Sequence, residues 1–139
     1  MKISYTKFSK NKLNVRAIIL KDNKVLMVNQ YTSNSVKKPV WTLPGGKYTS
    51  YFRCNYLLKR KVIDKVYQKT GIKIKAYNPI YINKKHSLIV FKCIAINDSI
   101  NIDRSNPKNK DVISVEYLDI NDRRLTDFKK VIDACLRNI

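Results

Sequence analysis

The chain has 139 residues, of which 44% are hydrophobic, so it is long enough to bury one core and its composition excludes a disordered chain. Its 29 Lys and Arg residues against 10 Asp and Glu residues give a formal net charge of +19 at pH 7. So few carboxylates disfavour chemistry that depends on a cluster of acidic side chains.

The charge predicts a polyanionic partner, because closely spaced phosphates favour a protein that displaces their counterions. AT-rich coding, which raises Lys, Asn and Ile together, is the alternative explanation for the many lysines. It does not account for the scarcity of Asp and Glu.

The first part of the chain predicts strands. Two apolar runs, residues 15–20 and 25–28, flank a polar turn and predict a hairpin. We expect a polar loop over residues 31–38. Residues 41–46 are expected to form a short strand that ends at a proline and two glycines.

Residues 57–69 are predicted to form a helix. Leu58, Val62 and Val66 repeat every four residues, as on one buried helix face, and Gly71 follows where a helix stop is expected.

The remaining chain predicts three strands and a closing helix. The strands are expected at residues 72–82, 87–96 and 112–118, with a polar loop over 99–110. We expect Thr126 to cap a last helix whose apolar face is formed by Phe128, Val131, Ile132, Cys135, Leu136 and Ile139. This order of elements favours a mixed sheet flanked by helices, in the α/β (α+β) class.

Cysteines and termini predict a cytoplasmic protein. Cys54, Cys93 and Cys135 match no metal or redox spacing and are expected to be reduced and mostly buried. Residues 1–12 lack the apolar segment of a secretory signal, and no apolar run approaches the roughly 20 residues of a membrane span.

The segment Trp41-Thr42-Leu43-Pro44-Gly45-Gly46-Lys47, with a helix that ends in Lys69-Thr70-Gly71-Ile72, resembles the Nudix hydrolase family. The resemblance implies one Nudix-like α/β/α sandwich over residues 1–139. It also implies cleavage of nucleoside diphosphates linked to another group. The stretch from Gly46 to Gly71 is longer than the family's signature, and we place the extra residues in the loop 48–56.

The family's catalytic acids are replaced. Aligned from Gly71, the signature arginine falls on Asp64, and the glutamates fall on Lys65, Gln68 and Lys69. Family members hold Mg²⁺ or Mn²⁺ through these carboxylates, whereas two ammonium groups on one helix face would repel a divalent cation. We therefore expect no metal, no other cofactor and no enzymatic activity.

The altered helix predicts RNA binding instead. Candidate phosphate contacts lie on this helix and in several loops: Arg53, Lys59, Arg60, Lys61, Lys65, Lys69, Lys37, Lys38, Lys84, Lys85, Arg123 and Arg124. Candidates for stacking on unpaired bases are Tyr48, Tyr51, Phe52 and Tyr56. The alternative is that the helix charges are a solvated surface and some of these rings close the core.

Basic residues spread over many loops are typical of proteins bound to folded RNA, so ribosomal RNA and ribosomal proteins are the predicted partners. Two other functions stay open. One is a nucleotide sensor without turnover. The other is a divergent hydrolase whose metal ligands have moved to Asp64, Asp98, Asp103 or Glu116.

Two single residues have two interpretations each. Arg16 faces either the ligand cleft or water. His86, the only histidine, lies in a Lys-rich turn and is expected to contact solvent or phosphate rather than to act as a general base.

Overall fold

The structure of the protein, a computed structural model, describes residues 12–32, 35–49 and 53–137. These residues form the strands β1 (Leu13–Lys21), β2 (Lys24–Thr32), β3 (Ser35–Thr42), β4 (Gly45–Tyr48), β5 (Ile74–Asn83), β6 (Leu88–Ala95) and β7 (Val112–Asp119), and the helices α1 (Asn55–Thr70) and α2 (Lys129–Arg137). Short 3-10 turns cover Pro107–Asn109 and Arg123–Phe128.

No helix in the described segments is long and apolar enough to cross a bilayer. The prediction that the N-terminus is not a secretory signal falls on residues 1–11, outside the described residues, and on Lys12.

Strand β1 is central to a mixed sheet. It pairs in parallel with β6 over residues 14–19 and antiparallel with β4, from Leu13 opposite Tyr48 to Arg16 opposite Gly45. Strand β5 extends this side antiparallel to β6, while β2 pairs antiparallel with β3 and β7. The predicted mixed sheet is confirmed.

The β1–β2 hairpin turns as the sequence predicts. Asp22 and Asn23 have φ values of 52° and 61°. Two consecutive left-handed residues match the twist of the flanking strands, and Asp and Asn tolerate this conformation better than most side chains.

One helix covers each face of the sheet. Leu58, Val62 and Val66 of α1 pack in a core with Val15 and Ala17 of β1. A second core on the other face contains the α2 residues Val131, Ile132 and Cys135 with residues from β1, β2 and β6. The α/β/α sandwich is therefore confirmed.

Three sequence predictions differ from the structure. Most of the expected polar loop 31–38 is strand, because pairing with β2 supplies hydrogen bonds that local polarity does not reveal. Gly45 and Gly46 begin β4 rather than only ending a strand. Thr126 lies inside a 3-10 turn whose first N–H groups are capped by Asp122, and α2 begins later, at Lys129.

The cysteines of the described chain are free. Cys93 and Cys135 are buried, as expected for most of them, and Cys54 is exposed directly before α1.

Helix α1 ends at a glycine in the left-handed conformation. Gly71 has a φ of 76°, and its N–H donates to the Tyr67 carbonyl. The N–H of Asn101 donates to the Thr70 carbonyl, which holds the loop between β6 and β7 against the helix end. A Cβ on Gly71 would lie 2.5 Å from the Asn101 carbonyl oxygen.

Gly71→Ala is therefore expected to lower the free energy of unfolding by about 1–3 kcal/mol, through left-handed strain and collision with backbone. Denaturant unfolding measures the change. Ser99→Ala, at an exposed position in the same loop, is the control and should change stability little. Equal effects of the two substitutions would contradict the assigned role of Gly71.

Candidate functional site

A small cavity between α1 and the sheet is rich in positive side chains. It has a volume of about 420 Å³ and lies beside β1, β2, β4, α1 and the residues that precede β7. Its charged lining residues are Arg16, Lys47, Lys65, Lys69, Lys108 and Asp111. Five positive side chains against one carboxylate make this a place for an anion.

The lysines reach the cavity because of the register of α1. Leu58, Val62, Val66 and Thr70 are buried against the sheet. Lys65 and Lys69 are spaced four residues apart next to this apolar stripe, so they share a face that borders the sheet.

A glycine makes room for one lysine stem. A Cβ on Gly46 would lie 2.9 Å from Lys65 Cγ and 3.0 Å from its Cδ, so the stem of Lys65 lies across the bare backbone of β4. The Lys65 ammonium then donates to Gln68 Oε1 at 3.3 Å. Gly46 therefore permits the close approach of α1 to β4 on which the cavity depends.

Arg16 lies in the cleft and not simply in water. Its Nη1 donates to the Leu43 carbonyl at 3.1 Å, and burial lowers its pKa from the usual value. Arg16 lines the small cavity and also a second, larger one.

Positive charges crowd around Lys69. Burial, then the Arg16 guanidinium, then the Lys65 ammonium lower the pKa of Lys69 to about 7. Burial, Lys61 and Lys108 likewise lower the pKa of Lys65. Among the described residues, Lys69 forms no ion pair with a carboxylate. Bringing these positive side chains together therefore lowers the stability of the folded state.

The larger cavity adjoins the small one on the side of α2. Its volume is about 1030 Å³, and both cavities share Arg16, Thr32 and Lys47. Its lining combines apolar and aromatic side chains with polar and charged ones, including Val40, Leu43, Tyr81, Leu88, Phe128, Asn14, Asn83, Thr126, Asp127, Lys129, Lys130 and Asp133. A cleft with a partly apolar end and a cationic end suits an amphipathic anion.

The residues of the small cavity do not fit the divalent metal that the resemblance implies. Mg²⁺ and Mn²⁺ prefer several oxygen ligands, and the helix positions concerned carry two ammonium groups and one amide. In the part of the chain that the structure describes, no three His, Cys, Asp or Glu side chains are grouped to hold a metal.

The acids proposed as relocated ligands lie apart from this cavity. Asp64 and Asp103 line a different hollow at the end of α1. Asp98 pairs with Lys21, and Glu116 lies 3.9 Å from Arg124. None of the four lines the cationic cavity.

The structure brings only part of the predicted basic set together. Lys65 and Lys69 share the cationic cavity. Lys59, Arg60 and Lys61 lie on the same helix but do not line this cavity, and the remaining basic candidates lie outside α1. Exposed members on other elements include Lys37 on β3, Lys84 and Lys85 in the β5–β6 turn, and Arg123. Arg124 is held by Asp122 at 2.8 Å and stacks over the Trp41 ring at 5.1 Å, so it has a structural contact of its own.

The predicted aromatic candidates also separate. Tyr48 is 8% exposed and packs in the core under α1, so the prediction that its ring stacks on a base is wrong. Tyr56 is 70% exposed on the first turn of α1. Tyr51 and Phe52 lie outside the described residues.

Several cavity residues were not predicted from the sequence. Lys47, Lys108 and Asp111 line the cationic cavity, and Tyr81 and Phe128 line the larger one. No local motif marks Lys108, Asp111, Tyr81 or Phe128 as cavity residues. Lys47 directly follows the Gly45-Gly46 pair, which is the one signal that could have indicated it.

The sequence matches no protein-family model and no curated protein sequence. Solved structures share its fold. An ADP-ribose pyrophosphatase from Streptococcus suis superposes with a TM-score of 0.67 at 19% identity, over 91% of this chain and 90% of that one. A Nudix hydrolase from Clostridium perfringens gives a TM-score of 0.65 at 13% identity, over 93% and 99% of the two chains.

A third structure, a UDP-X diphosphatase, has a TM-score of 0.63 at 18% identity and covers 94% of this chain and 63% of its own. The chain therefore has the Nudix fold, as its glycine pair and helix end indicate. These structures are named as hydrolases or diphosphatases, and this contradicts the expectation that the chain is not an enzyme. The prediction that the chain is not an enzyme is therefore wrong.

Burial and the neighbouring positive charges at Lys69 predict how stability depends on pH. The folded state holds Lys69 with a pKa of about 7, whereas an unfolded lysine titrates near 10.4. The folded state thus binds fewer protons between these values, and the destabilisation from charged Lys69, present below pH 7, is relieved as pH rises. Lys69→Met should therefore stabilise the protein by about 2–3 kcal/mol at pH 6 and much less at pH 10.

Urea unfolding at both pH values measures this difference. Lys73→Met, on an exposed lysine of the described chain that lines none of these cavities, is the control and should show no such dependence. A stabilisation by Lys69→Met that is the same at pH 6 and pH 10 would rule out the charge on buried Lys69 as its cause.

Proposed function

We propose that the chain hydrolyses a nucleoside-diphosphate-linked compound that spans the two adjoining cavities. The observation that carries this proposal is the position of Arg16, which lines both the cationic and the partly aromatic cavity. In the reaction, water attacks one phosphorus and the bridging P–O bond breaks. The products are a nucleoside monophosphate and the phosphate ester of the linked group, with the protons of water passing to the products and solvent.

The cationic cavity is proposed to hold the diphosphate. Arg16, Lys65 and Lys69 offer N–H donors to its oxygens. Cations placed where negative charge develops on the leaving phosphate lower the barrier to hydrolysis. Sharing of the fold with pyrophosphatases supports this reaction class by analogy.

The larger cavity is proposed to hold the nucleoside. Phe128 and Tyr81 supply partly buried rings, and Asn14, Asn83 and Thr126 supply polar groups for a base or ribose. Its volume of about 1030 Å³ is ample for this group.

A panel of ADP-ribose, dinucleoside polyphosphates and capped RNA tests the activity, in Mg²⁺, in Mn²⁺ and in EDTA. Chromatography should show a nucleoside monophosphate as product. Phe128→Ala should raise KM about tenfold, because a lost aromatic stack is worth about 1–3 kcal/mol. Tyr56→Ala removes an exposed ring outside both cavities and should leave KM unchanged.

Absence of product under all three conditions would contradict the proposed hydrolysis. Thermal unfolding of both variants separates a lost nucleoside contact from a loss of fold, since Phe128 also packs against the second core.

RNA is a second candidate ligand, favoured by the net charge of +19 and by exposed lysines outside the cavities. The β5–β6 turn carries exposed Lys84 and Lys85 and borders the larger cavity through Asn83 and His86. Ribosomal RNA and ribosomal proteins remain proposed partners on the ground of charge alone.

Co-sedimentation with ribosomes or total RNA from the host tests this candidate, and association should weaken steeply as salt rises. Lys84→Glu with Lys85→Glu should lower the log–log salt slope by about 1–2. Lys24→Glu on β2 with Lys73→Glu directly before β5 makes the same charge change elsewhere on the surface. Absence of RNA at low salt, or equal weakening by both pairs, would contradict an RNA contact at this turn.

A further inference from the structure

We propose that Lys65, Lys69 and Arg16 take the place of a divalent metal ion, so that the cationic cavity binds a diphosphate without any metal. This inference rests on the proposed function, which supplies the class of ligand. Because these residues do not fit Mg²⁺, we expect their side chains to contact the diphosphate directly.

The three cations form no ion pair within the described residues, and the single carboxylate of their cavity belongs to Asp111. The ammonium of Lys65 donates to the neutral amide of Gln68, and the Arg16 guanidinium donates to a backbone carbonyl. None of the ion pairs among these residues includes Arg16, Lys65 or Lys69. Mutual repulsion therefore persists until an anion enters.

The placement of the cations suits one compact anion. Residues four apart on a helix have Cβ atoms about 5–6 Å apart, so both lysines can reach oxygens of the same diphosphate. Lys65 is directed by its stem across Gly46, and Arg16 approaches from β1. A diphosphate would thus meet donors from the helix and from the sheet.

A divalent cation would act against this arrangement. Added to the cavity, it would increase the repulsion among five positive side chains. Bound to the ligand in solution, it would neutralise the charge that these side chains attract. Excess Mg²⁺ is therefore expected to weaken binding of inorganic pyrophosphate or leave it unchanged.

Binding should also depend on pH through Lys69. The ionisable and charged groups that share its cavity come from β1, β2, β4, α1 and the loop before β7, and they are Arg16, Tyr31, Lys47, Lys65, Lys108 and Asp111. Because the pKa of Lys69 lies at about 7, its positive charge is lost as pH rises through neutrality. Affinity for the anion should fall over that range.

Isothermal titration with inorganic pyrophosphate in EDTA tests the inference directly. The natural chain should bind pyrophosphate, with no gain from excess Mg²⁺. Lys65→Glu with Lys69→Glu should weaken this binding more than about tenfold, because two charge-assisted contacts are lost and replaced by repulsion. Lys24→Glu with Lys73→Glu, which changes the net charge equally, should change affinity less than about threefold.

Lys69→Gln removes one charge with little change in size, and it serves if the double variant does not fold. It should also weaken binding in EDTA and abolish the fall in affinity above neutral pH. Pyrophosphate binding that appears only with Mg²⁺ or Mn²⁺, or that the site variants and the control pair weaken alike, would overturn the inference.

The two proposals fail separately. Binding of pyrophosphate in EDTA without hydrolysis of any nucleoside compound would overturn the proposed function and leave the anion site in place. Hydrolysis that requires Mg²⁺ or Mn²⁺, with no pyrophosphate bound in EDTA, would support the proposed function and overturn the metal-free site.

Discussion

Repulsion among Arg16, Lys65 and Lys69 is the physical constraint on which the proposed anion site depends. The three side chains line one cavity of about 420 Å³, and burial together with the neighbouring charges brings the pKa of Lys69 to about 7. Native proteins retain such costly arrangements mainly where they serve binding or catalysis. Binding of the proposed anion would lower the repulsion among these three side chains. Stability of the fold and binding of the ligand are therefore linked.

The fold holds these charges in place through ordinary apolar packing. The buried stripe of α1 fixes the helix against β1, and the missing side chain at Gly46 allows Lys65 to lie across β4. On β1, Val15 and Ala17 point into the core under α1, and Arg16 between them lines the cleft. Several apolar contacts thus offset the repulsion among a few cations.

Lys65, Gln68 and Lys69 have a different meaning in the folded cleft than in the isolated helix. The absence of carboxylates at these three positions predicted that the chain is not an enzyme, on the assumption that only a metal ion supplies positive charge near a diphosphate. The fold shared with hydrolases contradicts that expectation. Arg16 and the helix lysines supply fixed positive charge at the same place, and fixed charges also stabilise phosphoryl transfer.

The sequence by itself determined the features that depend on near neighbours. These are the α1 periodicity, the Asp22-Asn23 turn, the stop at Gly71, and the glycine pair that indicated the fold. Only the tertiary structure decided that residues 35–42 pair as a strand and that Tyr48 is buried. It also decided that Arg16 lies close enough to Lys69 to lower its pKa. These features join residues that are far apart in the chain. A local sequence pattern does not indicate which distant segments come together in the fold.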